Sequence, residues 1–298
     1  MKRRYRSLCS TLSLALMFLL QGKVWAGDPF RTHNPHNIDS QTQLAFDQLF
    51  HQGNYKAAKV DLLQAEKNSD IDPLAFALSG SLSYTEDDYN SLNEYALKTI
   101  DAAQKLKDKD SLRSNIYLAV GYFLQGSYIF KTQGPIQAVG KLQQVMQYLD
   151  VAQDISPDDP ELNLIKGYLE LLLAVNLPFS SPDKAIDKFQ KFAAPAYLVN
   201  RGVAMAYRDL KQYDKSLEFL DKAILESPEN PELQYLKGQL LRVQGISSKN
   251  VETLQKSIIY FDKANQKRDQ LPKTLLIPLD HDRQAVIDEV KQLKNGNS

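Results

Sequence analysis

His33 and His36, in the run His33-Asn34-Pro35-His36, come nearest in this chain to a metal-ligand pair. A zinc-type site needs three or four donors converging on one ion. This segment offers no matching third ligand, so no metal is expected. His51 and His281 are isolated and read as surface residues. Paired carboxylates could serve as general acid and base, and they occur at Asp87-Asp88, at Asp158-Asp159 and around Pro228-Glu229-Asn230-Pro231-Glu232. Each of these stands where a turn enters a helix, and acidic groups there are favoured by the positive end of the helix dipole. The chain has no GxxxxGK[ST] phosphate loop, no GxSxG and no HExxH. No catalytic residue and no cofactor is expected, and the chain does not read as an enzyme.

The first residues belong to targeting and not to the fold. Lys2, Arg3, Arg4 and Arg6 are followed by an apolar run from Leu8 to Leu20 and by Val24-Trp25-Ala26, with small residues where a signal peptidase cuts. Residues 1–26 therefore read as a signal peptide, and the run is short for a membrane span. Cleavage after Ala26 would remove the single Cys, Cys9, and the single Trp, Trp25. The mature chain would have no disulfide and no thiol ligand. It would also lose five basic residues, leaving 31 Lys and Arg against 36 Asp and Glu, a net charge of about −5. That balance does not favour nucleic acid, which prefers a basic surface. No later stretch is apolar enough to span a bilayer. The expected location is the periplasm, or a thylakoid lumen in a photosynthetic source.

Residues 27–38 contain two Pro and little periodicity, and read as a flexible N-terminal tail. From Asp39 onward apolar residues recur at helical spacing. The clearest unit covers 197–230. Val203, Ala204 and Tyr207 mark a first helix, Lys211-Gln212 a turn, Tyr213, Leu217, Leu220 and Ala223 a second helix, and Pro228 the end. Ala204, Tyr207, Ala223 and Pro228 match the tetratricopeptide pattern, with Ser216 and Leu220 standing for its usual Ala and aromatic and Asn200 departing from its Trp. The unit resembles that family, whose period is 34 residues. The same register runs through 39–72, 73–106, 114–159, 160–196 and 231–271, marked by Gly53, Gly80, Gly121, Gly167 and Gly238 in turn. Residues 39–271 thus read as about six tetratricopeptide-like helix hairpins, and 272–298 as a C-terminal capping helix and tail. The fold expected is all-α, a right-handed superhelical solenoid of stacked hairpins. The apolar segment from Leu162 to Leu177 reads as a central helix covered on both sides.

In the family, the first helix of each repeat lines a concave groove. Carried onto this chain, that places Leu118, Tyr122, Leu164, Tyr168, Arg201, Arg208, Tyr235, Gln239 and Arg242 in the groove as partner-binding residues. They would form an aromatic floor leading to a basic end, suited to a peptide with apolar side chains and an acidic residue or C-terminus. The family's carboxylate clamp of paired Lys and Asn is not matched. The chain resembles exported bacterial tetratricopeptide proteins, including cyanobacterial ones. The expected function is an exported scaffold or adaptor for a protein or peptide in the cell envelope. A non-catalytic subunit of an envelope enzyme is the alternative.

Overall fold

The computed structural model describes residues 27–68, 71–176 and 182–296. The signal-peptide reading of 1–26 lies outside these. The described residues contain thirteen α-helices and no strand. They are α1 (Ser40–Phe46, running into a wider π turn over Asp47–His51), α2 (Tyr55–Ala65), α3 (Pro73–Thr85), α4 (Tyr89–Lys105), α5 (Ser111–Gln133), α6 (Pro135–Ile155), α7 (Pro160–Asn176), α8 (Pro182–Phe192), α9 (Ala196–Asp209), α10 (Tyr213–Glu226), α11 (Pro231–Ser247), α12 (Val251–Gln266) and α13 (Lys273–Gly296).

Short polar residues start most of these helices. Asp72 precedes Pro73 and accepts the Leu74 N–H, Asp159 precedes Pro160 and accepts the Leu162 N–H, and Asn230 precedes Pro231 and accepts the Glu232 N–H. Each joins a capping side chain to a Pro whose missing N–H costs nothing at a first helical position. The Asp and Asn turns noted in the sequence are therefore helix entries.

Consecutive helices pack as antiparallel pairs, and each pair packs on the next, giving an all-α solenoid. Within a pair the approach is close where the sequence places a small residue. A Cβ on Gly167 would fall 2.2 Å from the Phe189 ring, and one on Gly238 2.7 Å from the Phe261 ring. The Ser216 hydroxyl donates to the Ala204 carbonyl, and Ser257 repeats this on Gly238, both at 2.7 Å. The two contacts are one repeat apart and tie the second helix of each pair to the first.

The array closes on itself. At the α1–α2 turn the Tyr55 N–H donates to the Gln270 carbonyl at 2.9 Å, and His51 bonds the Glu226 carbonyl at 2.8 Å. The Asn230 side chain donates to the Phe50 carbonyl at 3.1 Å, and Thr274 donates to the Thr85 carbonyl at 2.7 Å. Gly53 sits in this clasp with φ of +64°, and a Cβ there would meet Asn230 and Pro231 at 2.5–2.9 Å. Gly53→Val combines a strained backbone with a steric clash, and should cost about 1–3 kcal/mol. Small-angle scattering is expected to show a larger radius of gyration for the variant. An unchanged profile and melting temperature would mean the clasp is not held there.

One expectation differs from what is found. Residues 27–38 are not a loose tail: Asp28, Phe30 and Ile38 are buried. The segment forms a strap whose polar groups find partners within it and beneath it. The C-terminal helix runs from Lys273 and carries Pro278 within its second turn.

Candidate functional site

Two features of this fold could hold something: an interior polar cluster and an apolar cavity.

The polar cluster lies under the strap. The Arg113 side chain is almost fully buried and donates to both oxygens of Asp72 at 2.8 and 3.0 Å, and to Glu161 at 3.3 Å. The Tyr117 hydroxyl donates to the other Glu161 oxygen at 2.6 Å. From the strap, Arg31 reaches Asp28 at 3.1 Å and also bonds Asp159, and His36 lies 2.8 Å from Asp28 and 3.4 Å from Asp110. Burial opposes the Arg113 charge, but Glu161, Tyr117 and Asp72 outweigh it and hold the group above its usual pKa. Burial pushes the Glu161 carboxyl up despite the cation beside it. Burial also raises Asp28, but hydrogen bonds from His36 and from the Phe30 and His36 N–H groups prevail and hold it below the usual carboxylate range. The arrangement locks strap to solenoid. His33 is exposed while His36 is taken up by Asp28 and Asp110, so the pair does not converge on one point. Among the described residues no group of three or more His, Cys, Asp or Glu could hold a metal ion.

The cavity lies inside the curve of the solenoid and has a volume of about 600 Å³. The first helices of the successive pairs, α1, α3, α5, α7 and α9, wall it with Phe46, Leu78, Val120, Leu164, Leu171 and Leu198 among others. Phe30 of the strap also lines it. Arg201 and Asp209, both on α9, are its charged lining residues among those described. Tyr55, from the clasp, donates to Glu232 at 2.5 Å, and Glu232 pairs with Arg201 at 2.9 Å. The Tyr168 hydroxyl donates to the Leu198 carbonyl at 2.7 Å. Burial raises the Tyr168 hydroxyl to about 12.

The nine groove residues expected from the sequence fall into three sets. Leu164, Tyr168 and Arg201 line the cavity together. Leu118 and Tyr122 do not: Leu118 is buried in the core, and Tyr122 stacks on Tyr148 of α6, ring centres 5.5 Å apart, with Lys141 over it. The cavity face of α5 instead carries Tyr117, Val120, Phe123 and Leu124. The third set does not form an open basic end. Tyr235 and Gln239 both donate to Asp282 of α13, at 2.8 and 3.0 Å, and Arg242 is held by Glu289 and Asp282 of that helix. The capping helix thus occupies that stretch, and Arg208 pairs at the surface with Asp209. Phe30, Phe46, Phe50 and Tyr55 line the cavity without having been singled out by the repeat pattern. Their only sequence signal is the density of aromatics in the first hairpin and just before it.

A run of exposed apolar side chains continues outward from the cavity. Helices α5 and α6 project as a long pair, with Phe123, Phe130, Ile136, Val139 and Leu142 exposed. Phe123 and Phe130 are seven residues apart, hence on one stripe of α5. From Ser114 to Leu149 the only charged residues are Lys131 and Lys141. The Leu162–Leu177 segment is likewise not covered all round: Leu162, Leu164 and Leu171 are buried, but Leu172 is 51% exposed. Residue 177 lies outside the described residues. No described helix is long and apolar enough to cross a membrane.

No protein-family model matches this chain, and no curated protein matches it. Among solved structures, TTC0263, a thermophilic TPR protein in Thermus thermophilus, aligns at 18% identity over 67% of this chain and 97% of its own, with a TM-score of 0.47. A human IFIT1 dimer with m7Gppp-AAAA aligns at 17% identity over 87% of this chain and 72% of its own, with a TM-score of 0.48.

Proposed function

We propose that the chain is an exported, non-catalytic scaffold of the cell envelope, and that it binds a protein partner through the projecting α5–α6 pair. The observation that carries this reading is the surface of Phe123, Phe130, Ile136, Val139 and Leu142, whose surrounding sequence holds two lysines and no acid. Monomeric proteins seldom leave large apolar patches exposed without a use for them. A helix or extended segment with apolar anchors and an acidic residue satisfies both the surface and its two cations. Leu164, Tyr168 and Arg201 line the cavity beside this surface, whereas Tyr235, Gln239 and Arg242 serve the capping helix.

Phe130→Asp with Val139→Asp changes two exposed positions, so the fold should survive. Capture of a partner by the mature chain from an envelope extract is expected to fall by about tenfold or more, as when central apolar anchors are lost. Unchanged capture by a variant with wild-type circular dichroism would remove α5–α6 as the docking surface. The export part is tested separately, by mass spectrometry of the exported fraction for a chain that begins at Gly27.

A further inference from the structure

The interior cavity meets the exposed face of α5–α6 at Phe123 but is lined mostly by other helices, and its chemistry suits a different occupant. On α7 its lining runs from Leu164 to Val175, which at the helical rise is about 16 Å. Phe30 of the strap lines it and is buried, whereas the lining residues Phe123, Leu172 and Asp209 are exposed. A volume of about 600 Å³ lies within the range of small-molecule sites, roughly 300–1,000 Å³.

The walls have little to offer a peptide. Buried backbone N–H and C=O groups need partners. The tyrosine hydroxyls of the lining are already committed: Tyr117 to Glu161, Tyr55 to Glu232 and Tyr168 to the Leu198 carbonyl. A hydrocarbon chain has no such need. Among the described residues Arg201 is the single cation of the lining, and its side chain keeps 23% of its surface while Glu232 engages one of its nitrogens. A guanidinium carries five N–H donors; Glu232 and the Tyr55 hydroxyl take up part of that capacity and leave the rest for a ligand. Asp209 stands eight residues further along α9, about 12 Å away. Asp209 is already paired with Arg208, so an anionic head finds its donor at Arg201, beside Glu232.

We infer that this cavity binds a single-chain amphiphile with a carboxylate head, the carboxylate on Arg201 and the hydrocarbon tail along α5, α7 and α9 toward Phe123 and Leu172. The site would make the chain a carrier or sensor of an acyl compound as well as a scaffold.

The test uses the mature chain, the fluorescent fatty acid cis-parinaric acid as probe, and hexadecanoic acid and hexadecanol as competitors. Saturable binding at one site per chain is expected, with the acid displacing the probe at a concentration about tenfold or more below that of the alcohol, because a charge-assisted hydrogen bond is lost with the carboxylate. Arg201→Met should abolish the difference between acid and alcohol. Because that change leaves Glu232 unpaired, Arg201→Met with Glu232→Gln is the folding-safe version. Val120→Trp, which fills the cavity from α5, should abolish both. No saturable binding to the wild-type chain, or full binding by a folded Val120→Trp protein, would overturn the inference. Equal displacement by acid and alcohol would overturn the role of Arg201. The Phe130→Asp, Val139→Asp protein should bind the probe normally, so loss of partner capture and loss of the amphiphile can fail independently.

Discussion

Replacing Arg113 with methionine will lower the stability of the folded chain by about 3–5 kcal/mol, the cost of removing one member of a buried charge cluster. The reason is the company Arg113 keeps. It neutralises Asp72 and Glu161 at once, and neither carboxylate can turn to water: the Glu161 side chain is fully buried and the Asp72 side chain is 10% exposed. The strap depends on the same cluster through Arg31 and His36. Urea denaturation measures the loss, and limited proteolysis at Arg31 should show the strap released before the solenoid unfolds. A cost below about 1 kcal/mol, the scale of a surface pair, would mean that the cluster is not structural.

Glu161 adds a pH signature. Its folded pKa lies above the ordinary 4.5 because burial dominates. The folded state therefore holds this proton more tightly than the unfolded state does. Its contribution is most favourable below the ordinary value and declines as pH rises through the folded value. Glu161→Gln removes that dependence, so the stability of the wild type relative to the variant should increase as the solution is acidified. A difference that is flat, or of the opposite slope, would contradict the assignment.

Phe189→Ala will cost a comparable amount, about 3–5 kcal/mol, as for other fully buried aromatics cut to alanine. The ring is 1% exposed. It fills the space left by two glycines, since a Cβ on Gly167 or Gly202 would lie 2.2 or 2.7 Å from it, and Tyr168 meets it edge-on at 5.3 Å. Removing it empties the joint between the α7–α8 pair and α9, which is also a wall of the cavity. Gly167→Ala, approaching from the other side, should destabilise by overpacking, by about 1–3 kcal/mol. In combination with Phe189→Leu it should cost less than the sum of the two single changes, which denaturation of the double mutant would show.

These joints explain why some of the site was legible in the sequence and some was not. Where the small residue of the first helix meets the aromatic of its own second helix, as Gly167 meets Phe189, the helix keeps the facing that the repeat register implies. Leu164 and Tyr168 do line the cavity. At Gly121 the same residue type serves another contact: a Cβ there would lie 2.5 Å from Ile100 and 3.2 Å from the backbone of Ala96, both on the preceding α4. Helix α5 is rotated accordingly, and Tyr117, Val120 and Phe123 face inward in place of Leu118 and Tyr122. The strap was missed because it is held down by Arg31 and His36 reaching Asp159 and Asp110, far along the chain, which no local period encodes. The capping helix was legible as an amphipathic stretch. That Asp282 and Glu289 on its polar side would hold Tyr235, Gln239 and Arg242 was not.

The clasp between the first hairpin and the end of the array sets the number of units this protein can have. Open arrays of this kind lengthen or shorten by whole units, because each unit touches only its neighbours. Here Asn230 must meet the backbone of Phe50 across 180 positions, and Gln270 must meet Tyr55. One hairpin more or fewer would displace the two sides of that junction by a full step and leave Gly53 facing solvent. Internal duplication, the usual route by which such proteins diversify, is closed to this one. The closure joins residues about 180 positions apart, and contacts of that range are intrinsically slow to form.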